Sequence, residues 1–173
     1  MGRFFAQLHA IDLGHVRALG IGDCDPWLDA DTIRRNAWRH LPDPIRSWAD
    51  RALMAWAELP PDPHGETYGH FDAHGWNMAF DMRSGRLAGV FDFGDSGFGP
   101  VHREFVYSML IDVDLTGRII ASYERHSGRS IDRERVLLLA DIHRLWEIAV
   151  EHEDGASVAA MLEEVVPWAM ARR

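Results

Sequence analysis

Lysine is missing from this sequence, and all 18 of its basic residues are arginine. Two glycine patterns that commonly cradle nucleotide phosphates, Gly-x-Gly-x-x-Gly and Gly-x-x-x-x-Gly-Lys-Ser/Thr, are missing as well. The nearest glycine cluster, Gly94, Gly97 and Gly99, has a different spacing. These residues therefore supply neither a recognisable phosphate-binding loop nor the lysine that usually accompanies one.

Cysteine is nearly absent, because Cys24 is the only one. A single thiol excludes an internal disulfide and is typical of the reducing cytoplasm, which is the location we expect. No apolar run reaches the roughly 20 residues that cross a bilayer, so we predict no contact with a membrane. The net charge of −9 argues against nucleic acid as a partner, because phosphate backbones bind basic surfaces.

Helical periodicity covers most of the chain. At 173 residues and 47% hydrophobic content, we expect a single domain over residues 1–173 with a substantial core. The fold class predicted is mainly α with a small β-hairpin, that is, α+β. We expect residues 13–27 to be irregular and residues 97–100 to form a turn. Helices are predicted over residues 2–11, 29–40, 44–59, 101–112, 115–126, 132–153 and 156–171, with Asp43 capping the third.

Acidic and amide side chains concentrate between His70 and Asp95. Residues 70–77 read HFDAHGWN and residues 92–95 read DFGD. Between them, residues 78–80 and 87–91 are typical of two short strands joined by a turn. Because a hairpin brings its two ends together, we expect Asn77 and Asp92 to be near neighbours. Their oxygen atoms suit Mg²⁺, which takes one or two carboxylates and leaves room for substrate phosphates.

His-x-Asp-x-x-x-x-Asn followed by a hairpin and Asp-Phe-Gly resembles the catalytic core of the aminoglycoside phosphotransferase and choline kinase families, which are relatives of the protein kinases. In those families the two motifs typically read HGDLHPGN and IDFGDAG. The opening GRFFAQLHAID also resembles the helix after the interlobe hinge, and LLLADIHRLWEIAV resembles the C-terminal helices. The resemblance covers most of the chain and implies a protein-kinase-like C-terminal lobe.

The resemblance implies metal-assisted phosphoryl transfer to a hydroxyl of a small molecule, with a cationic, aminoglycoside-like acceptor as one candidate. Asp72 would be the catalytic base that orients the acceptor hydroxyl, and His70 would brace the loop. Asn77 and Asp92 would bind Mg²⁺ or Mn²⁺. Asp95 would either cap the next turn or touch substrate.

The chain departs from the family pattern at Phe71, Ala73, Gly75 and Trp76, where the family usually has Gly, Leu, Pro and Gly. Glu104 falls near an Asp that anchors the following helix in the family, and we expect it to be structural. The N-terminal lobe, which holds ATP in the family, has no counterpart in these residues. We therefore expect ATP to be used only if another chain completes the nucleotide site, or if the sequence is a piece of a longer protein.

Three alternatives remain open from the residues. His74, with His70, Asp72, Asp92, Asp95 and His102 in the same series, could instead bind Zn²⁺, since imidazole and carboxylate suit transition metals. A metal at the same cluster could activate water, which would make the protein a free-standing hydrolase of phosphoesters or other esters. The surface that faces the N-terminal lobe in the family is expected to be apolar, which would favour a non-catalytic, homodimeric lobe.

Overall fold

The computed structural model describes residues 1–172. Antiparallel strands form two small sheets, and helices make up most of the rest. The α-helices are α1 (Gly2–Leu8), α2 (Leu13–Ala18), α3 (Ala30–Ala37), α4 (Asp43–Ala57), α5 (Val106–Met109), α6 (Val113–Ser127), α7 (Arg133–Val150) and α8 (Gly155–Ala171). The strands are β1 (Glu66–Gly69), β2 (Met78–Asp81), β3 (Arg86–Val90) and β4 (Gly97–Pro100).

Aspartate side chains define the start of several helices. Asp12, Asp29, Asp112 and Asp154 each precede a helix and accept a hydrogen bond from a backbone N–H in its first turn. Such caps satisfy donors that the helix itself leaves without a partner. Gly128 ends α6 with a φ of +73°, the left-handed conformation that glycine adopts without strain.

The chain divides into two compact units, and the boundary falls within α7. The first unit comprises Met1–Asp25 and Pro61–Leu137. Its helical core forms where α1 packs on α6 so closely that a Cβ at Gly2 would lie 2.3 Å from the Ile119 carbonyl oxygen. Phe105 then packs edge-on against both Phe5 and Tyr123, with ring centroids 5.8 and 5.0 Å apart.

Both small sheets belong to the first unit. Strand β2 pairs with β3 as the predicted hairpin, with Met78 opposite Val90. Strand β1 pairs with β4, with Tyr68 opposite Phe98. The two sheets hold the ends of the predicted site, because residues 70–77 lie between β1 and β2 and residues 91–96 lie between β3 and β4.

The second unit comprises Pro26–Pro60 and the chain from Leu138 onward. It is built from α3, α4, the later part of α7 and α8. The buried core residues are almost all aliphatic or small: Ile33, Ala37, Leu41, Ile45, Trp48, Ala49, Ala52, Leu53, Ile142, Leu145, Ile148, Ala149, Val158, Val165 and Ala169. None of the described helices has the length and apolarity needed to cross a bilayer.

Several local predictions were wrong. Residues 13–18 are helical, because the Asp12 carboxylate caps them by accepting from His15 N–H at 2.7 Å. Residues 97–100 form a strand, because Gly97 lets the Cys24 backbone approach so closely that a Cβ there would lie 2.6 Å from its nitrogen. Helix α4 is capped by Pro42, and Asp43 is its first residue. Residues 101–105 form a 3₁₀ helix that leads into α5.

Candidate active site

Backbone strain marks the predicted site. Within residues 1–172, Phe71 and Asp92 are the two non-glycine residues with a left-handed φ, at +55° and +59°. This conformation costs an L-residue roughly 1–2 kcal/mol. It persists only where surrounding contacts impose it, and such residues cluster at functional sites. Phe71 lies in the 70–77 loop and Asp92 directly follows the hairpin, so both strained residues fall in the two predicted motifs.

Glu104 holds the 70–77 loop in its strained conformation. Its carboxylate accepts hydrogen bonds from the backbone N–H groups of His70 at 2.9 Å and Phe71 at 3.3 Å, and it is fully buried. A Cβ at Gly69 would lie 2.4 Å from this carboxylate, so the preceding position has room only for glycine. The expected structural role of Glu104 is therefore specific, because it fixes the backbone next to Asp72.

A buried polar chain continues from Glu104 to α6. His9 Nε2 lies 3.1 Å from the Glu104 carboxylate, and His9 Nδ1 lies 3.0 Å from the Tyr123 hydroxyl. Burial raises the pKa of Tyr123, which keeps its phenol a proton donor. The arrangement in which Tyr123 donates to Nδ1 and Nε2–H donates to Glu104 satisfies every group. A chain of this kind rigidifies the loop it ends on.

His70 connects the two motifs. Its side chain is fully buried, its Nε2 lies 3.0 Å from the carbonyl oxygen of Phe91, and its Nδ1 accepts from Asp72 N–H at 3.3 Å. The ring also packs edge-on against Phe93 at 4.7 Å. Both ring nitrogens are therefore engaged, and the imidazole ties the 70–77 loop to the segment that carries Asp92.

Asp72 and Asn77 form a hydrogen-bonded pair across the 70–77 loop. Asn77 Nδ2 donates to the Asp72 carboxylate at 2.7 Å and to the Asp72 carbonyl oxygen at 2.9 Å. The amide nitrogen is thus turned towards Asp72, which leaves Asn77 Oδ1 facing away as an acceptor. The Asp72 side chain remains one quarter exposed, so a substrate can reach it.

The electrostatics of Asp72 depend on its neighbours. Burial raises the pKa of its carboxyl, His74 opposes that effect, and the negative charge of Asp95 adds to it. His74 Nε2 lies 3.4 Å from the Asp72 carboxylate, while His74 Nδ1 accepts from Trp76 N–H at 3.2 Å. The neutral tautomer with a proton on Nε2 fits both contacts, so His74 faces Asp72 as a donor.

Asp92 directly follows Phe91, the residue that meets Asn77 at the end of the hairpin. Met78 pairs with Val90, and Phe91 N–H donates to the Asn77 carbonyl oxygen at 3.1 Å. Asp92 is exposed and its left-handed backbone is followed by Gly94, where a Cβ would lie 3.4 Å from the Asp92 carboxylate. Asn77 therefore contacts Asp72 through its side chain and the residue before Asp92 through its backbone.

The donors fit an oxygen-seeking cation better than zinc. Asn77 Oδ1 and the Asp92 carboxylate are hard oxygen ligands, as Mg²⁺ and Mn²⁺ prefer. Within residues 1–172, no group of three or more His, Cys, Asp or Glu side chains is placed to hold a metal ion. His70 and His102 use both ring nitrogens in hydrogen bonds, His102 with Asp62 and Asp132 N–H. The zinc alternative thus lacks free imidazole ligands at these two positions.

Comparison with known proteins identifies the family. The model of the phosphotransferase enzyme family matches residues 1–139, which is most of the chain. The chain belongs to the phosphotransferase enzyme family. A search of curated proteins gives no match.

Solved structures of phosphotransferases share the fold. The GDP and kanamycin complex of APH(2″)-IIia aligns with a TM-score of 0.69 at 15% identity, covering 99% of this chain and 63% of that one. Spectinomycin phosphotransferase, solved with ADP and spectinomycin, aligns with a TM-score of 0.67 at 12% identity, covering 98% and 63%. Macrolide 2′-phosphotransferase MphH from Brachybacterium faecium aligns with a TM-score of 0.64 at 17% identity, covering 96% of this chain and 59% of that one. The chain spans about three fifths of each relative. The predicted fold, a mainly helical kinase-like lobe with small β-structure, is confirmed.

Sequence reasoning missed part of this candidate site. His9 and Tyr123 received no role, although each supplies a buried hydrogen bond to the chain that ends on Glu104. One signal was available for His9, because it stands next to the apolar residues Phe5 and Leu8 of α1, and a buried polar group such as His9 or Glu104 needs a partner. Their pairing across 95 residues could not be read from the sequence. The roles assigned to His70, Asp72, Asn77 and Asp92 stay predictions.

Proposed function

We propose that this chain is the catalytic lobe of a phosphotransferase that transfers a phosphoryl group to a hydroxyl of a small molecule. The observation that carries the proposal is the pair formed by Asp72 and Asn77 beside Asp92. Asp72 would accept the hydroxyl proton, and its carboxylate is already oriented by the Asn77 amide at 2.7 Å. Phosphoryl transfer depends mainly on positioning and charge stabilisation, which this rigid loop supplies.

Asn77 Oδ1 and the Asp92 carboxylate would hold Mg²⁺ or Mn²⁺. When bound, the ion supplies positive charge that neutralises the nucleotide phosphates. Asn77 would contribute twice in this scheme, because its amide nitrogen orients the base and its oxygen would be a ligand of the ion. His70 would keep the two halves of the site in register through its contacts with Asp72 N–H and the Phe91 carbonyl.

The nucleotide needs surface that these residues do not supply. The sequence has no lysine and no glycine-rich phosphate loop. The relatives solved with GDP or ADP are longer than this chain, which covers 63% of each. We therefore propose that ATP or GTP binds productively only where further chain, from the same protein or a partner, completes the site.

The acceptor is proposed to be a hydroxylated small molecule with amino groups. Kanamycin and spectinomycin, which two related structures hold, belong to this class. The exposed Asp95 places a negative charge near Asp72, Asp92 is also exposed, and the chain carries a net charge of −9. Negative charge around the site would attract a cationic acceptor.

Calorimetric titration with Mg²⁺–ATP tests the nucleotide and metal roles. We expect micromolar binding once the site is complete, lost in Asp92→Asn and retained in Asp31→Asn, which removes an equal charge from the exposed first turn of α3. No binding to the isolated chain up to millimolar ATP would exclude autonomous kinase activity. Metal-dependent release of phosphate from phosphoesters would then decide for the hydrolase alternative, with Asp72→Asn as its control.

A second role is favoured by exposed apolar side chains on the hairpin and the segment after it. Phe80, Met82, Phe91 and Phe93 are 50%, 93%, 50% and 41% exposed. Exposed apolar patches often mark surfaces that bind a partner. We propose self-association through these residues, and light scattering tests it. A monomer at high protein concentration would contradict the dimer, and so would a dimer that persists in Met82→Asp and Phe80→Asp.

A further inference from the structure

Trp76 is an unusual side chain for its position. It is 88% exposed, and it stands between Asp72 and the metal-ligand candidate Asn77 in the 70–77 loop. Single exposed apolar residues are common on protein surfaces. An indole beside a proposed catalytic base is different, because tryptophan offers a broad apolar face at little conformational cost.

The backbone that carries Trp76 is fixed. Trp76 N–H donates to His74 Nδ1 at 3.2 Å, and Asn77 N–H donates to the His74 carbonyl oxygen at 3.1 Å. Residues 75–77 form a 3₁₀ turn, and the Asn77 side chain ties the end of that turn to Asp72. The point from which the indole projects is therefore held relative to the base.

A second exposed apolar side chain lies beside the same turn. A Cβ built on Gly75 would lie 3.8 Å from Ile111 Cδ1, in ordinary van der Waals contact. Ile111 is 43% exposed and belongs to the link between α5 and α6. Two apolar side chains from separate segments thus border the turn that leads from Asp72 to Asn77.

The two ends of the 75–77 turn have different neighbours. Asn77 joins the hairpin through its backbone contact with Phe91, whereas Gly75 adjoins Ile111. In phosphoryl transfer the attacking and leaving oxygens lie roughly in line, on opposite sides of the transferred group. With the nucleotide phosphates at Asn77 and Asp92, the acceptor hydroxyl must reach Asp72 from the side away from the phosphates. Trp76 and Ile111 are exposed apolar side chains beside the turn that joins Asp72 to Asn77, so both are available to an acceptor there.

We propose that Trp76, together with Ile111, forms the platform on which a ring of the acceptor packs, so that Trp76 determines acceptor specificity. This inference rests on the proposed function and names the acceptor more closely. The acceptor carries a saturated ring whose C–H face lies on the indole, and a ring hydroxyl that reaches Asp72. Its amino groups face the surrounding carboxylates.

The test compares Trp76→Ala and Trp76→Phe with the wild type in calorimetric titrations with spectinomycin and kanamycin. We expect Trp76→Ala to weaken binding of both probes about tenfold, while Trp76→Phe stays within about threefold, because phenylalanine keeps an apolar ring face. Met54→Ala is the matched control, since Met54 is 62% exposed on α4 and its loss should change neither affinity. Thermal unfolding should be unchanged in all three variants.

Two further readouts separate packing from charge and from folding. Spermine is a linear polyamine without a ring, so its affinity should be equal in wild type and Trp76→Ala. Acrylamide quenches exposed tryptophans, and the other six tryptophans are buried or half-buried. Bound spectinomycin should therefore shield a large share of the quenchable emission in the wild type and none in Trp76→Phe.

Several outcomes would overturn the platform. These are equal affinities of wild type and Trp76→Ala for both ring-bearing probes, no saturable binding of either probe to the wild type, or weaker Mg²⁺–ATP binding in Trp76→Ala with unchanged acceptor binding. The proposed transfer function is judged separately, by the effect of Asp92→Asn on nucleotide binding. If Asp92→Asn abolished nucleotide binding while Trp76→Ala left acceptor binding unchanged, the proposed function would stand and the platform would be rejected.

Discussion

The two units of this chain are stabilised in different ways. The second unit has an aliphatic helical core in which Ile142, Leu145 and Ile148 are fully buried. The first unit buries polar groups at its centre, including Glu104, His70 and His102, each with no exposed surface. Apolar packing tolerates exchange between residues of similar size, whereas a buried hydrogen-bond network depends on every member. The candidate site therefore lies in the unit that buries polar groups, which costs more free energy than burying apolar ones.

Strain follows the same division. Both non-glycine residues with a left-handed φ among residues 1–172 lie in the first unit, next to Asp72 or at Asp92. The second unit uses ordinary helices with aspartate caps. Rigidity that costs free energy is thus concentrated where side chains must be held in register, and four predictions can test this division.

The largest effect is expected at Asp72. Asp72→Asn keeps the shape of the side chain but removes the base, so we expect the phosphoryl-transfer rate of the nucleotide-competent protein to fall by about 10²–10⁴-fold. The melting temperature should change little, since the carboxylate is partly exposed. Steady-state kinetics and thermal unfolding check this prediction together. A rate within threefold of the wild type would remove Asp72 from the mechanism.

The next effect contrasts the two interiors by near-isosteric exchange. Glu104→Gln places a donor where two backbone N–H groups and His9 need an acceptor, which we expect to cost about 3 kcal/mol of unfolding free energy. Leu145→Met in the second unit should cost less than about 1.5 kcal/mol, because its volume and apolarity are kept. Urea unfolding measures both. Equal losses would show that the two interiors do not differ in tolerance.

The sequence predicts the second unit well because its information is local. Apolar spacing in residues 45–56 is enough to predict α4, and Asp29 is enough to predict the start of α3. In the first unit, the hairpin between Asn77 and Asp92 could be predicted for the same reason, since its strands and turn are neighbours in sequence. Hairpin geometry then predicts that the two ends of the hairpin meet.

Long-range pairing explains what could not be predicted. Strand β4 forms because Gly97 and Gly99 let Cys24 and the Phe71 ring approach, and nothing near residue 97 in sequence indicates either neighbour. The contacts of Glu104 with His9 and with the 70–77 loop join segments far apart along the chain. A motif can therefore suggest which residues act, but the groups that hold them in place appear only in the fold.

Two buried carboxylates should respond to pH in opposite directions. Burial of Asp62 opposes ionisation, but hydrogen bonds from His102 and His64 outweigh it and lower its pKa. Burial raises the pKa of Asp141 in the second unit, despite donors from Arg172 and Trp168. A lowered pKa gives stability that is present above the unfolded-state pKa and lost as pH falls through the folded-state pKa. A raised pKa gives stability that is present at low pH and lost as pH rises through the folded-state pKa.

Stability measured from pH 3 to pH 6, a window around the ordinary pKa of about 3.9 for aspartate, checks this contrast. The free energy lost in Asp62→Asn should grow as the pH rises, because the wild-type carboxylate is then ionised and paired. The free energy lost in Asp141→Asn should shrink over the same range. Differences that change in the same direction for both variants would mean that the two carboxylates are held alike.

The smallest effect tests the link between strain and function at Asp92. Asp92→Gly removes the strain of a left-handed φ, but glycine also has more conformational freedom in the unfolded chain. We therefore expect the free energy of unfolding to rise by only about 0.5 kcal/mol. The same substitution removes a proposed metal ligand and should abolish Mg²⁺-dependent nucleotide binding in the complete site. Asp92→Asn is the control, because asparagine tolerates this backbone and should leave stability unchanged while also losing binding. If Asp92→Gly were destabilised by 1 kcal/mol or more, contacts of the Asp92 side chain would stabilise the fold, and the strain would not be kept for function.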